Sequence, residues 1–265
     1  VTTMQGQTFE GQLADDVMWS LLSFTLVTLV VGMLSFILIK PFRAAERDQG
    51  IYRMQLAFTN VGFMGIPLAT AVFGERSGLL ILLMNTPFIV LLYSFGVFLM
   101  LYQKGGGGID WTLLKRMINI PMVSSLLGFV ILVMGIQVSA VISDGLQMVA
   151  DTMVPAGMLI VGLQLGKTGL KGIFNGRNLW MCILSLGLVP LLAVGICALL
   201  PQSGVVSATL VFAMAMPSGT LCTVLAEEFG RNTLLASETL AATTLGSLLT
   251  LPVWAVVLER FYAVA

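Results

Sequence analysis

The sequence predicts an all-α polytopic membrane protein: inverted five-helix repeats with a broken helix in each, about eight helices of a ten-helix parent being present. Three observations lead there. First, 57% of the 265 residues are hydrophobic and only 10% are charged, whereas a soluble domain carries about 25% charged residues. Second, apolar runs recur at 17–39, 53–73, 79–102, 112–136, 146–165, 178–200, 205–226 and 235–258. Each is near the ~20 residues that a bilayer requires, and none alternates in the pattern of a membrane barrel. Third, two of these runs carry residues that interrupt a helix, and their surroundings echo one another along the chain.

Composition also narrows the chemistry. The chain has no histidine, which removes imidazole from metal binding, from Ser/His or Cys/His catalysis and from pH sensing. Cys182, Cys197 and Cys222 fall in apolar runs without metal-ligand or redox spacing, so they read as buried free thiols. No cofactor, no metal and no enzymatic activity are expected. Net charge is zero and by itself says nothing about acidic partners. The apolar spans make the lipid bilayer the environment, and no nucleic acid is expected.

In chain order, residues 1–16 are polar and read as a loop, neither signal peptide nor span. The run at 17–39 is followed by a basic connection, 40–53. Next comes the stretch 58–74, FTNVGFMGIPLATAVFG, which sets Thr59, Asn60, Gly62, Gly65 and Pro67 inside an apolar span. Glycine weakens a helix, proline removes a backbone N–H, and hydrocarbon cannot satisfy the asparagine amide. A helix interrupted in this way survives in lipid only where its freed backbone is buried in protein or lines a cavity. The spans at 79–102 and 112–136 flank a linker that contains Gly105 to Gly108. A second interruption is expected at Pro217 and Gly219, inside the run at 205–226. Pro87, Pro190 and Pro252 read as simple kinks.

Charge sets the sides. With the 40–53 connection inside, alternation puts Lys40, Arg43, Arg47, Arg53, Lys104, Lys115, Arg116, Lys167, Lys171, Arg177 and Arg231 inside and leaves only Arg76 and Arg260 outside. That is a strong positive-inside split, and it turns both observed termini outward, as in a bacterial inner membrane.

The repeat fixes the architecture expected. Phe73-Gly74 is echoed by Phe229-Gly230, and Asn60-x-Gly62 by Pro217-x-Gly219, at an offset of about 156 residues. On the assigned topology the two interrupted helices run in opposite directions, as in inverted-repeat transporters. The first repeat would occupy 1–104, a Gly-rich loop 105–110 and the second repeat 111–265. The spans at 112–136 and 146–165 find no partner in the first half, so two further helices within about 45 upstream residues are expected.

These motifs resemble a known family. FTNVGFMGIPLATAVFG is similar to the signature of the auxin efflux carriers, which include plant PIN-like and bacterial malate/malonate permease-like proteins. Ile120-Pro121 through Leu127-Gly128, PAGMLIVGLQLG at 155–166 and Met216 to Trp254 are similar to later parts of the same family. The resemblance implies a scaffold domain and a moving transport domain in which two unwound helices cross at mid-membrane beside an organic-anion site. It puts Asn60, Val61, Gly62, Gly65 and Pro67 on one arm of that crossover. Pro217, Ser218, Gly219 and Thr220 form the other arm, with Met216 where the family has an amide.

The expected chemistry is anion capture by helix ends. Half-helix N-termini bring partial positive charge and free N–H groups to one point, and no basic residue falls in the middle of any span. Asn60 could donate to a carboxylate or serve as interhelical glue worth about 1 kcal/mol. Ser218 and Thr220 could line the site or bond back to their own helix. Asp151 and Glu238 are the ionisable candidates for coupling, against a wetted cap and a helix-terminus residue respectively. Proton or Na+ coupling and uncoupled electrogenic transport stay open, as does a homodimer. The reading is therefore a secondary carrier of small organic anions. Its rivals are a cation/proton antiporter, which would want carboxylates at the crossover, and a transport-dead membrane sensor or scaffold.

Overall fold

The computed structural model describes residues 12–102, 120–134, 138–152 and 170–262, residue 136, and scattered positions between 155 and 166. The Gly105–Gly108 run, Lys104, Lys115, Arg116 and Lys167 lie outside the described residues. Among those described, the secondary structure is helical, and its one β-type pairing is an isolated bridge.

Helix α1 spans Gln12–Leu38, and a short turn at Lys40–Phe42 leads to α2, Glu46–Ala57. After a break, α3 covers Val61–Phe73 and α4 covers Glu75–Leu101. Then follow α5 (Ile120–Val133), α6 (Ala140–Asp151) and α7 (Gly176–Cys197). A second interrupted pair is made by α8 (Gly204–Met214) and α9 (Thr220–Glu228). Finally α10 runs from Thr233 to Tyr262. Four of these, α1, α4, α7 and α10, are long and apolar enough to cross a membrane.

Contacts at the two ends fix the directions. At one end, Arg177 Nε donates to the Phe42 carbonyl at 3.0 Å and Arg53 Nη1 donates to the Tyr102 carbonyl at 3.1 Å. The end of α1, the start of α2, the end of α4 and the start of α7 therefore lie together. At the other end, Asp16 pairs with Arg76 at 2.5 Å and Thr209 donates to Ser77 at 3.0 Å. With Val206 packed against Val17 and Leu80, this gathers the starts of α1, α4 and α8. The pair α2–α3 thus sets out from one end and the pair α8–α9 from the other.

Two expectations shift. The break in the first interrupted helix lies at residues 58–60, before the glycines and proline. Val61–Gly65 is a π-turn, and Pro67, which has no N–H to give to that turn, follows it inside the same helix. The expected span at 146–165 begins in a helix with other bounds. That helix starts earlier, at Ala140, and ends at Asp151 with Thr152 as its cap. Pro155 has no N–H to offer the Asp151 carbonyl and so cannot continue that ladder. The echoed Phe-Gly pairs behave alike: Gly74 and Gly230 take φ of 84° and 62°, the left-handed region in which a side chain is strained, and each directs the chain into the following helix.

The core runs between the two interrupted pairs. Phe58, Phe88 and Phe24 stack edge-on or tilted at 5.7 and 6.3 Å between centroids, and Phe73 meets Phe212 at 5.1 Å. Further π-turns lie at Leu92–Gly96 in α4 and Leu184–Leu188 in α7; beside the latter, the Trp254 indole of α10 donates to the Leu186 carbonyl at 2.9 Å.

Candidate functional site

Where α2 stops, the chain has no helical partner for its next backbone groups, and the same is true where α8 stops. Each supplies the other. Thr59 and Ser218 form an antiparallel bridge: the Asn60 N–H donates to the Pro217 carbonyl at 2.7 Å, and the Gly219 N–H to the Phe58 carbonyl at 2.9 Å. Side chains reinforce the pairing. Thr59 Oγ1 donates to the Ala213 carbonyl at 2.8 Å in the last turn of α8, and Asn60 Nδ2 donates to Thr220 Oγ1 at 3.3 Å. Cys222 Sγ lies 3.7 Å from the Phe58 carbonyl, which accounts for one of the three free thiols. Unpaired backbone groups at this depth would each cost several kcal/mol, and this exchange is what makes both breaks tolerable. Residues 160 positions apart are held as one unit.

Beyond the bridge, α3 and α9 begin, and their first turns look into a common cavity of about 180 Å³. Thr59, Asn60, Val61, Gly62 and Phe63 form one wall, and Gly219, Thr220 and Leu221 the second. The third comes from α4, through Asn85, Phe88 and Ile89. The amides of Gly62, Phe63, Thr220 and Leu221 find no acceptor among the described residues, as expected of the first turn of a helix without a capping side chain. Met64 and Gly65 N–H both turn back to the Asn60 carbonyl, at 3.3 and 3.1 Å. No charged side chain lines the cavity among the described residues. Its polarity is that of two helix N-termini, each with roughly half a positive charge, and of amide and hydroxyl groups from Asn60, Asn85 and Thr220.

Of the residues singled out in the sequence, Asn60, Val61, Gly62, Gly219 and Thr220 stand on the cavity wall. Gly65, Pro67, Pro217 and Ser218 stand behind it. Pro217 contributes its carbonyl to the bridge, and Ser218 is buried, its N–H donating to Thr243 Oγ1 at 3.2 Å while its own hydroxyl has no partner. Asp151 is exposed at the end of α6 and accepts from Gln147 at 2.6 Å. Glu238 is half-buried on α10, with its carboxylate packed against Gly172. Neither carboxylate reaches the cavity wall. Asn85 was missed, although an amide two residues before Pro87 in an apolar span is itself a signal, because hydrocarbon does not satisfy it. A methyl group built on Gly62 would stand 3.5 Å from its Oδ1.

An all-helical chain with bilayer-length apolar spans and two mutually paired helix breaks belongs to the class of integral membrane transport proteins. The chain is a member of the membrane transport protein family, the auxin efflux carriers, whose family model matches residues 13–255. It is similar to an uncharacterized transporter of Methanothermobacter thermautotrophicus, 29% identical over 203 residues. That alignment covers 76% of this chain and 66% of the relative, so the chain spans just under two thirds of that protein's length. A second uncharacterized transporter, from Methanocaldococcus jannaschii, is 27% identical over 240 residues, which is 86% of this chain and 75% of the relative.

Proposed function

We propose that this protein is a secondary carrier of small organic anions that works by alternating access, with its substrate held where the two interrupted helices cross. The observation that carries the reading is a cavity lined by four helix-start residues, Gly62, Phe63, Thr220 and Leu221, whose amides have no acceptor among the described residues and beside which no described charged side chain stands. Convergent helix N-termini are an anion site, and in secondary transporters they meet substrate carboxylates. The opposed directions of α2–α3 and α8–α9 support an inverted-repeat relation between the halves. A cavity of about 180 Å³ is smaller than the ~300–1,000 Å³ of drug-sized pockets. It therefore favours compact acids of the malate or malonate type over a bulkier auxin-like acid.

A cation/proton antiporter would need carboxylates at this point, and the wall has none among the described residues. Uptake of a radiolabelled dicarboxylate into proteoliposomes separates a carrier from a sensor: saturable, protein-dependent accumulation is expected, and its absence across a panel of C3 to C5 dicarboxylates would remove the carrier reading. Within that assay, Asn85→Leu keeps the bulk of the side chain and removes one neutral hydrogen bond to the substrate. It should lower transport efficiency by about three- to tenfold, the range set by a neutral hydrogen bond, with melting temperature unchanged.

A further inference from the structure

A second cleft, of about 310 Å³, opens at the end of the molecule where α1 and α4 finish and α2 begins. Its floor is Arg53, only 7% exposed. The guanidinium carbon lies 4.5 Å from the centre of the Phe36 ring and 5.6 Å from that of Tyr102. Nη1 donates to the Tyr102 carbonyl and Nη2 to Gln49 Oε1, at 3.1 and 2.7 Å. Nε is buried without an acceptor. Every partner of this cation is neutral, and the ion pair among the described residues is elsewhere, between Arg76 and Asp16. Burying a charge that no carboxylate contacts is costly; Glu46, on the same wall, attracts the guanidinium only from beyond salt-bridge distance, and the cleft as a whole stays short of an anion. Lys40 lines it too and adds a second, exposed cation.

The surroundings say which anion. Ile37, also on the cleft wall, is the last of a row of exposed apolar residues on one face of α1: Met18, Leu22, Leu26, Leu29, Met33 and Ile37. Their spacing of three and four residues keeps them on a single stripe. A hydrocarbon-facing surface thus runs directly into a basic, aromatic-lined recess at the end of a spanning helix, where phosphate headgroups reside. Glu46, on the same wall, offers acceptors to a headgroup that has donors of its own.

We propose that this cleft is a phospholipid headgroup site. The phosphodiester sits between Lys40 and Arg53, the acyl chains lie along the α1 stripe, and Glu46 accepts from an ethanolamine ammonium or a glycerol hydroxyl. A choline headgroup lacks those donors and is the poorer ligand.

The test is native mass spectrometry of the full chain, stripped of lipid in detergent and titrated with phosphatidylethanolamine, phosphatidylglycerol and phosphatidylcholine of matched acyl chains. One ethanolamine or glycerol lipid per chain should be retained about fivefold better than the choline lipid. Lys40→Gln, at an exposed position, should reduce that retention about fivefold, the effect of about 1 kcal/mol for one basic residue at a membrane surface, without a change in melting temperature. Arg53→Lys, which keeps the charge and gives up the planar fork, should weaken it as well. Equal retention of the three lipids, or unchanged retention in Lys40→Gln, would overturn the proposal. Displacement of the lipid by millimolar inorganic phosphate would assign the cleft to a free anion and overturn it equally. Asn60→Ala should hold its lipid like the parent protein, so this result stands apart from the substrate reading.

Discussion

Asn60→Ala is expected to reduce dicarboxylate uptake by about 10- to 100-fold, the range that corresponds to one hydrogen bond to a charged group, while the protein remains folded. The reason for the second half of that statement is structural. The pairing of the two arms runs through the backbone of Asn60, whose N–H reaches the Pro217 carbonyl at 2.7 Å, and alanine keeps it. What alanine removes is the amide that lies on the cavity wall 3.3 Å from Thr220 Oγ1. Thr220→Val separates the two roles of that amide. If Asn60 only ties the arms together, losing the partner hydroxyl should harm the protein as much as losing the amide. If Asn60 meets the substrate, Thr220→Val should harm transport far less than Asn60→Ala. Single-turnover uptake and substrate-induced thermal shift, measured on both variants, decide between them.

How much of the fold and site is legible in the sequence follows from how local each signal is. Asn60, Gly62, Pro217 and Gly219 each conflict with a lipid-embedded helix on their own, so both breaks were legible, and the offset between them suggested that they correspond. The exact point of the first break was not, because it depends on a bond made elsewhere. Thr59 donates to Ala213 and Phe58 accepts from Gly219, which ends α2 before the proline has any effect. Asn85 belongs to a span that reads as ordinary until its neighbours in space are known. Asp151 and Glu238 attract attention as charges near or within apolar runs. In the fold, Asp151 is exposed and Glu238 packs from α10 against Gly172, and neither lines the cavity. The Arg53 cleft was out of reach altogether, since its parts come from the end of α1, the start of α2 and the end of α4.

Gly50→Ala should be among the most damaging small substitutions in the protein. A Cβ at this position would collide with the Met100 carbonyl oxygen, with that residue's carbonyl carbon and Cα close behind. These are backbone atoms of α4 and no rotamer change moves them. Relief requires α2 and α4 to separate, which would also pull Arg53 away from the Tyr102 carbonyl. Overpacking and the loss of a charge-assisted hydrogen bond together should cost about 3 kcal/mol or more, read as a lower melting temperature and a smaller monodisperse fraction in detergent. Gly195→Ala is the control: it lies in α7 with nothing within 4 Å of the added methyl, and should be neutral or gain up to about 1 kcal/mol of helix propensity. The comparison bears on mechanism as well as stability. Gly50 lies in the helix that ends at the first break, so a seam this close ties the root of one arm to α4, which also supplies Asn85, Phe88 and Ile89 to the cavity. Two walls of the site would then travel as one body during transport. An unchanged melting temperature in Gly50→Ala would mean that α2 slides freely against α4, and the boundary between moving and stationary parts would have to be drawn between them.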